Sequence, residues 1–136
     1  MKNMHVVSLR IITADIKTSV HFFEKAIGAT ATWLTDDFAE IVTSSITLAI
    51  ASTRTLAFFG EGVAEPAANR SVIIEFLVEH VDEEYERIKD LTDEIVQKPT
   101  TMPWGNRSLL FRDPDGNLIN FFTPVSSEAI KKFAQR

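Results

Sequence analysis

The chain has 136 residues, of which 45% are hydrophobic and 24% are charged, and this composition predicts a folded globular protein rather than a disordered one. Its 14 basic and 19 acidic side chains give a net charge of -5, which argues against nucleic acid as a partner because nucleic-acid-binding surfaces are basic. The chain has no cysteine, and disulfides, thiol nucleophiles and thiolate metal sites are therefore excluded.

The first half of the chain predicts the element order βαβββ. Residues 5–12 form an apolar segment rich in β-branched side chains, which is typical of a strand. Asp15 can cap the helix that follows, where apolar residues recur at helical spacing, and Gly28 stands where a left-handed residue often ends a helix. A tight hairpin at Ser44 and Ser45 separates the last two of the strands that complete this half. These strands are predicted at residues 30–34, 38–43 and 46–51.

The second half repeats this order after a linker. Residues 52–70 are interrupted by glycine and proline and indicate a loop, with residues 55–59 as a candidate edge strand. Asp82 is the predicted N-cap of the second helix. The DPDG sequence at residues 113–116 predicts a turn, because proline presets φ and glycine accepts a positive φ. Strands are predicted at residues 72–78, 94–97, 107–112 and 117–122, and a short amphipathic helix at residues 126–135.

The two halves correspond in their spacing. Seven residues separate Ser8 from Asp15 at the start of the first helix, and seven also separate Ile73 from His80 at the start of the second. The repeat predicts a single domain made of two βαβββ modules, at about residues 4–62 and 70–125, followed by the C-terminal helix at 126–135.

Two sequence motifs stand out in the second half: PWGNR at residues 103–107 and RDPDGNLI at residues 112–119. Together with DIKTS at residues 15–19, they resemble the vicinal-oxygen-chelate superfamily, which contains glyoxalases, bleomycin-resistance proteins and extradiol dioxygenases. The resemblance extends from His5 to Pro124. It implies an α+β fold in which two βαβββ modules form a curved sheet or partial barrel around a cavity, and it implies a homodimer.

Enzymes of this superfamily hold one divalent metal ion with His, Glu or Gln side chains from the strands. The resemblance assigns those places to Ser8, Ala49, Ile73 and Asn120. Isoleucine and alanine offer no lone pair, and serine and asparagine are weak, uncharged ligands. No spacing that would rebuild the site is shared by the three histidines, His5, His21 and His80. We therefore expect no metal and no cofactor, and metal-dependent lyase or dioxygenase activity is disfavoured.

Strand parity predicts which side chains face the cavity, because residues two apart in a strand share a face. Arg10 shares its face with Ser8, and Glu75 shares its face with Ile73. A charged group inside an apolar strand costs free energy unless it is paired. Three interpretations stay open: Arg10 and Glu75 bind ligand, with Glu75 able to act as a base; they pair with each other; or they lie on an exposed rim.

Aromatic side chains on strands and loops can sandwich a planar ligand, and packing in the core or in a dimer interface is the alternative. Trp104 is the strongest candidate because it lies on an irregular segment between proline and glycine. Arg107 could bind an anion or support the strand, and the alternative is a solvated charge at the edge. No catalytic residue is assigned. The candidate ligand-binding residues are Arg10, Trp33, Phe38, Glu75, Trp104, Arg107 and Asn120.

Together with the resemblance, these features favour a metal-independent small-molecule binding protein of the glyoxalase/bleomycin-resistance type. The resemblance implies that such a protein sequesters a planar ligand, as in antibiotic resistance. The acidic balance favours a neutral or cationic ligand. The alternatives are a glyoxalase-like lyase or isomerase, or a dioxygenase-related enzyme, with a non-standard site, and a non-catalytic interaction module. The sequence shows neither a signal-peptide pattern nor an apolar run of the roughly 20 residues that span a membrane. We therefore expect a cytoplasmic protein without nucleic-acid or membrane partners, and the resemblance implies that it is a homodimer.

Overall fold

The computed structural model describes residues 3–134, and the chain divides into two compact units, Met1–Ala68 and Asn69–Arg136. The elements of the first unit are β1 (Ser8–Thr13), α1 (Ile16–Ile27), β2 (Thr32–Thr35), β3 (Phe38–Val42), β4 (Thr47–Ser52) and a 3-10 helix (Thr53–Phe58). Its four strands form one sheet in the order β1-β4-β3-β2, in which β1 and β4 are parallel and the other neighbours are antiparallel.

The second unit repeats this arrangement. Its elements are β5 (Ile73–Leu77), α2 (Val81–Ile88), β6 (Ile95–Thr101), β7 (Asn106–Arg112), β8 (Leu118–Pro124) and α3 (Ser127–Ala134). The sheet order is β5-β8-β7-β6, again with one parallel pair, β5 and β8. The predicted α+β fold and the doubled βαβββ order are therefore confirmed, and neither sheet closes into a barrel. Within residues 3–134, no helix is long and apolar enough to cross a membrane.

The predicted ends of α1 are also confirmed. Asp15 accepts hydrogen bonds from the Thr18 backbone N–H at 3.2 Å and from the Thr18 hydroxyl at 2.8 Å. These bonds hold the pKa of the Asp15 carboxyl below its ordinary value. At the other end, Gly28 adopts the left-handed conformation with a φ of 74°, which a side chain would disfavour.

Each unit has a core in which its strands carry fully buried apolar side chains. In the first unit, Phe23 of α1 is 1% exposed and Ile41 and Ile50 of the sheet are 0% exposed. In the second unit, Ile88 of α2 and Phe111 of β7 are 0% exposed. Along each strand, these buried side chains alternate with side chains on the opposite face of the sheet. A binding site would lie on that opposite face.

The predicted edge strand at residues 55–59 is wrong, because the 3-10 helix occupies most of this segment. The Ser52 hydroxyl accepts a hydrogen bond from the Arg54 backbone N–H at 3.2 Å, and the Thr55 hydroxyl donates to the Ser52 carbonyl at 2.8 Å. These local bonds turn the chain immediately after β4, because serine and threonine side chains compete with strand hydrogen bonding.

The predicted N-cap of α2 is also wrong. The helix begins at Val81, and His80 takes the N-cap position without a side-chain hydrogen bond, so Asp82 lies in the first turn. The Val81 N–H instead donates to the hydroxyl of Thr123 at 3.1 Å. Because this acceptor comes from β8, far away in sequence, local patterns do not reveal it.

Strand β6 is longer than predicted, since it continues through Pro99 to Thr101. It is an edge strand, and its pairing with β7 is interrupted by register shifts. Proline is tolerated at such positions because an edge strand has backbone N–H groups without a partner strand.

The DPDG turn is confirmed and is built around Asp113, which is 5% exposed. Its carboxylate accepts hydrogen bonds from the backbone N–H groups of Asp115 at 3.0 Å and Asn117 at 2.7 Å, and from Asn117 Nδ2 at 2.8 Å. Burial raises the pKa of the Asp113 carboxyl, and the hydrogen bonds from Asn117 oppose that shift. Gly116 supplies the positive φ of 82°, so this turn fixes the connection from β7 to β8.

Candidate functional site

The second sheet contacts α2 with one face, and its other face points away from that helix. Val81 and Asp82 of α2 contact Thr123 and Arg107, respectively, and these two sheet residues are direct partners in the register of β7 and β8. Side chains alternate between the faces of a sheet, so a second set of side chains points away from α2. We call this side the open face of the second sheet, and it carries Ile73, Glu75, Leu77, Leu110, Leu118, Asn120 and Phe122.

Glu75 and Asn120 form a hydrogen-bonded pair on the open face. They are direct cross-strand partners, and Asn120 Nδ2 donates to Glu75 Oε2 at 2.8 Å. Because a carboxylate only accepts hydrogen bonds, this contact fixes which end of the amide faces Glu75. Asn120 is 8% exposed, and its Oδ1 has no hydrogen-bond partner among the described residues. The pair therefore offers a carboxylate and a buried amide oxygen as neighbouring acceptors.

Apolar side chains surround this pair. Ile73 and Leu77, which are 47% and 54% exposed, lie two residues to either side of Glu75. Leu110 is the partner of Asn120 in β7 and is half-buried. A mostly apolar surface with a few convergent polar groups is typical of a site for a small organic ligand.

A shallow groove of the second unit adjoins the pair. Ile73, Arg112 and Leu118 help to line it where β5 begins. Ile73 and Leu118 are cross-strand partners, two residues along from Glu75 and Asn120. Same-face residues of a strand are about 7 Å apart, so the groove begins next to the pair on the same face of the sheet.

In the first unit, the guanidinium of Arg10 contacts two aromatic rings. Its Cζ atom lies 4.7 Å from the ring centroid of Phe38 and 5.8 Å from that of Phe59. Both distances are within the range of cation–π attraction. Arg10 and Phe38 are both candidate ligand-binding residues from the sequence, and the structure brings them into contact. The Arg10 side chain is nonetheless exposed, so its N–H groups are accessible from solvent.

The places assigned to metal ligands by resemblance occupy matching positions in the two sheets. In the parallel pair of β1 and β4, Ser8 and Ala49 lie on the same face, and Ala49 is two residues beyond the cross-strand partner of Ser8. In β5 and β8, Ile73 and Asn120 are related in the same way. Their chemistry does not fit a divalent metal, because two are hydrocarbons and the other two, serine and asparagine, are weak, uncharged ligands. Among residues 3–134, no group of three or more His, Cys, Asp or Glu side chains is placed to hold a metal ion.

Trp33 and Phe38 do not share a face of the first sheet. Trp33 is the cross-strand partner of Ala39, and Ala39 and Phe38 are consecutive in β3, where side chains alternate. Trp33 is 43% exposed. The two aromatic candidates of this unit therefore do not form opposite walls of one site.

Trp104 and Arg107 lie apart from the Glu75–Asn120 pair. Trp104 is in the turn between β6 and β7 and is 67% exposed. Arg107 lies on the α2 side of the sheet, where its Nε and Nη2 atoms contact the Asp82 carboxylate at 2.9 and 3.0 Å. This ion pair holds the pKa of the Asp82 carboxyl below its ordinary value. Arg107 thus stabilises the connection of α2 to the sheet, and its assignment to ligand remains only a prediction.

Sequence reasoning did not assign Phe59 to the site. A strand was predicted across this residue, whereas the 3-10 helix ends at Phe58 and Phe59 follows it. The sequence did contain a signal for Phe59, namely two adjacent phenylalanines in a linker rich in glycine and proline. Aromatic residues exposed in loops often bind a partner or ligand.

Comparisons with known proteins are consistent with this architecture. A model of the Glyoxalase/Bleomycin resistance protein/Dioxygenase superfamily matches residues 4–121. The uncharacterized protein YraH of Bacillus subtilis (strain 168) is 29% identical over 125 residues, which cover 88% of this chain and 98% of YraH.

Two solved structures share the fold. A glyoxalase/bleomycin resistance protein/dioxygenase from Nocardioides has a TM-score of 0.77 at 22% identity, covering 93% of this chain and 87% of its own. A glyoxalase-related enzyme from Fulvimarina pelagi has a TM-score of 0.76 at 18% identity, covering 90% of this chain and 93% of its own. At these identities the likeness shows the fold alone.

Proposed function

We propose that this chain, which belongs to the glyoxalase/bleomycin resistance protein/dioxygenase superfamily, is a metal-independent binding protein that sequesters a small planar ligand. The observation that carries the proposal is the amide of Asn120. It is buried, its Nδ2 is fixed by Glu75, and its Oδ1 has no hydrogen-bond partner among the described residues. A ligand that donates a hydrogen bond at this point would complete the site.

The energetics support a ligand with N–H or O–H donors. A buried acceptor that lacks a donor costs about 1–3 kcal/mol, and a bound ligand would remove that cost. The neighbouring Glu75 carboxylate would form a charge-assisted hydrogen bond, which is stronger than a neutral one. The exposed side chains of Ile73 and Leu77 would cover the apolar part of the ligand. A planar aromatic amine or amidine satisfies all three requirements.

Binding is favoured over catalysis by the surroundings of Glu75. A carboxylate that acts as a general base near neutral pH is usually withdrawn from water. Glu75 is exposed and already accepts a hydrogen bond from Asn120. The enzyme alternative, with Glu75 as base, is therefore second to a binding function, and the expected homodimer and a role in antibiotic resistance remain predictions.

The binding proposal predicts that Glu75→Gln weakens ligand binding. Planar aromatic amidines, with benzamidine as the first probe, are titrated by calorimetry, and acetophenone serves as a probe of similar shape without N–H donors. Loss of the charge-assisted bond is expected to lower the affinity for the best amidine about tenfold or more. Binding of acetophenone is expected to be much weaker than that of the amidines in the unchanged protein.

One variant provides a matched control for this measurement. Glu79→Gln removes the same charge at an exposed position just after β5. It is expected to bind the amidine like the unchanged protein. Equal losses in Glu75→Gln and Glu79→Gln, or no binding by any planar donor, would contradict the proposal.

Metal independence is tested separately. The purified protein is expected to contain no metal near stoichiometric amount, and Ni²⁺, Zn²⁺, Mn²⁺ and Fe²⁺ are expected to leave its melting temperature unchanged, because Ser8, Ala49, Ile73 and Asn120 lack suitable donor groups. A bound metal stabilises the folded state by mass action. A rise of several degrees with any of these ions would therefore favour a metal enzyme instead.

A further inference from the structure

The contact between Arg10 and Phe38 is made over strand β4. Arg10 lies on β1 and Phe38 on β3, and β4 separates these two strands in the sheet. On the face that Arg10 and Phe38 share, β4 carries Ala49 opposite Arg10 and Ala51 opposite Phe38. Neighbouring strands are about 4.8 Å apart, so larger side chains at these two places would obstruct the contact. The two alanines therefore leave the space in which the guanidinium meets the ring.

The guanidinium of Arg10 is held by rings but not neutralised. Phe38 and Phe59 attract it through their faces, and a ring does not compensate a charge as a carboxylate does. Within the described part of the first unit, no carboxylate lies within ion-pair distance of Arg10, whereas Arg54 pairs with Asp37 at 3.2 Å. The N–H donors of Arg10 are therefore left to solvent or to a ligand.

We propose that Arg10, positioned by Phe38 and Phe59, is a binding site for a carboxylate group. A guanidinium presents parallel N–H donors in a plane, which match the two oxygens of a carboxylate. The rings restrict the movement of this long side chain before a ligand arrives, which lowers the entropy cost of binding. The site concerns an anion and the first unit, so it goes beyond the donor-binding pair at Glu75 and Asn120.

The residue at position 49 supports this assignment. A glutamate there would lie directly opposite Arg10 and would neutralise it as an internal ion pair. Alanine leaves the positive charge available to a ligand.

Glu40 limits which anion can bind. It lies opposite Ala49 on the same face of the sheet, is half-buried, and has no ion pair within the described part of the first unit. Its carboxylate repels further negative charge near Arg10. A ligand with a single negative charge is therefore favoured over a phosphate dianion.

The test is a titration followed by NMR of the arginine side-chain Nε–H groups in the full-length protein. Benzoate is expected to shift the Arg10 signal with a saturable dependence, and benzamide, its neutral counterpart, is expected to leave that signal in place. Arg10→Lys keeps the charge but loses the planar donors, and calorimetry is expected to show at least tenfold weaker benzoate binding. Inorganic phosphate is expected to bind several-fold more weakly than benzoate.

Arg54→Lys is the matched control, because Arg54 is an exposed arginine of the same unit, and it is expected to bind benzoate normally. The proposal is overturned if benzamide shifts the Arg10 signal as benzoate does, if all arginine signals shift alike, or if Arg10→Lys binds benzoate unchanged. Phosphate binding as tight as benzoate binding would overturn the assignment to a carboxylate. The Glu75→Gln variant is expected to retain benzoate binding, so failure of either site is recognised independently of the other.

Discussion

Replacement of Phe111 by alanine is expected to lower the free energy of unfolding of the second unit by about 3–5 kcal/mol. Phe111 is 0% exposed, and its ring meets that of Phe121 edge to face at a centroid distance of 5.0 Å. Phe76 packs on the same Phe121 ring at 5.5 Å. Truncation therefore removes buried area, leaves a cavity and loses a favourable ring contact, and these effects act in the same direction.

Urea unfolding provides the measurement, because each unit carries one of the two tryptophans, Trp33 and Trp104. In a Trp33→Phe background, Trp104 fluorescence follows the second unit, and circular dichroism follows the whole chain. Phe58→Ala is the control, since Phe58 is 88% exposed and its truncation is expected to change the free energy of unfolding by less than about 0.5 kcal/mol. A loss below about 1 kcal/mol in Phe111→Ala would show that this core is not packed as described.

The fold was predictable because its signals are local and repeated. The hydrophobic alternation of strands and the helical spacing after Asp15 each arise within a few residues, and the DPDG turn fixes its own backbone through Asp113. The doubled order then follows from two similar halves. The prediction of Asp82 as the N-cap of α2 failed because a residue distant in sequence supplies the contact. The hydroxyl of Thr123 accepts a hydrogen bond from the first N–H of α2, and no pattern near Asp82 indicates this.

The candidate site was predictable in part for the same reason. Strand parity placed Glu75 and Asn120 on cavity-facing sides, and the register makes them direct partners. Parity does not show how far a side chain reaches, so it did not predict that Arg10 meets Phe38 over an intervening strand. It also did not show that Arg107 faces α2 and binds Asp82, because that contact depends on where the helix packs.

The second large effect is expected at Gly105, where alanine should lower the free energy of unfolding of the second unit by about 2–5 kcal/mol. Gly105 has a φ of 95°, which disfavours any side chain, and a Cβ atom there would lie 2.0 Å from Ser126 Oγ and 3.2 Å from Ala129 Cβ. The Gly105 carbonyl also accepts hydrogen bonds from the N–H groups of Val125 and Ser126. Alanine would therefore strain the turn and push away the start of α3.

Gly116→Ala separates these two causes. Gly116 belongs to the same unit and has a similar φ of 82°, but a Cβ atom there meets nothing within 4 Å. Its replacement is expected to cost only the backbone strain, about 1–2 kcal/mol. The excess loss in Gly105→Ala then measures the clash with α3, and an equal loss in the two variants would contradict it.

Displacement of α3 should also be visible at the open face of the second sheet. Phe133 of α3 packs on Phe122 at a centroid distance of 5.1 Å, and Phe122 is only 7% exposed. In Gly105→Ala, hydrogen exchange is expected to be faster in α3 while the amides of β8 stay protected, because the strand keeps its neighbours on both sides.

Since Phe122 lies two residues from Asn120 on the same face, loss of the cover that α3 provides would admit water beside the Glu75–Asn120 pair. The same variant should therefore bind planar amidines more weakly than Gly116→Ala does, which would connect the packing of α3 to the ligand site.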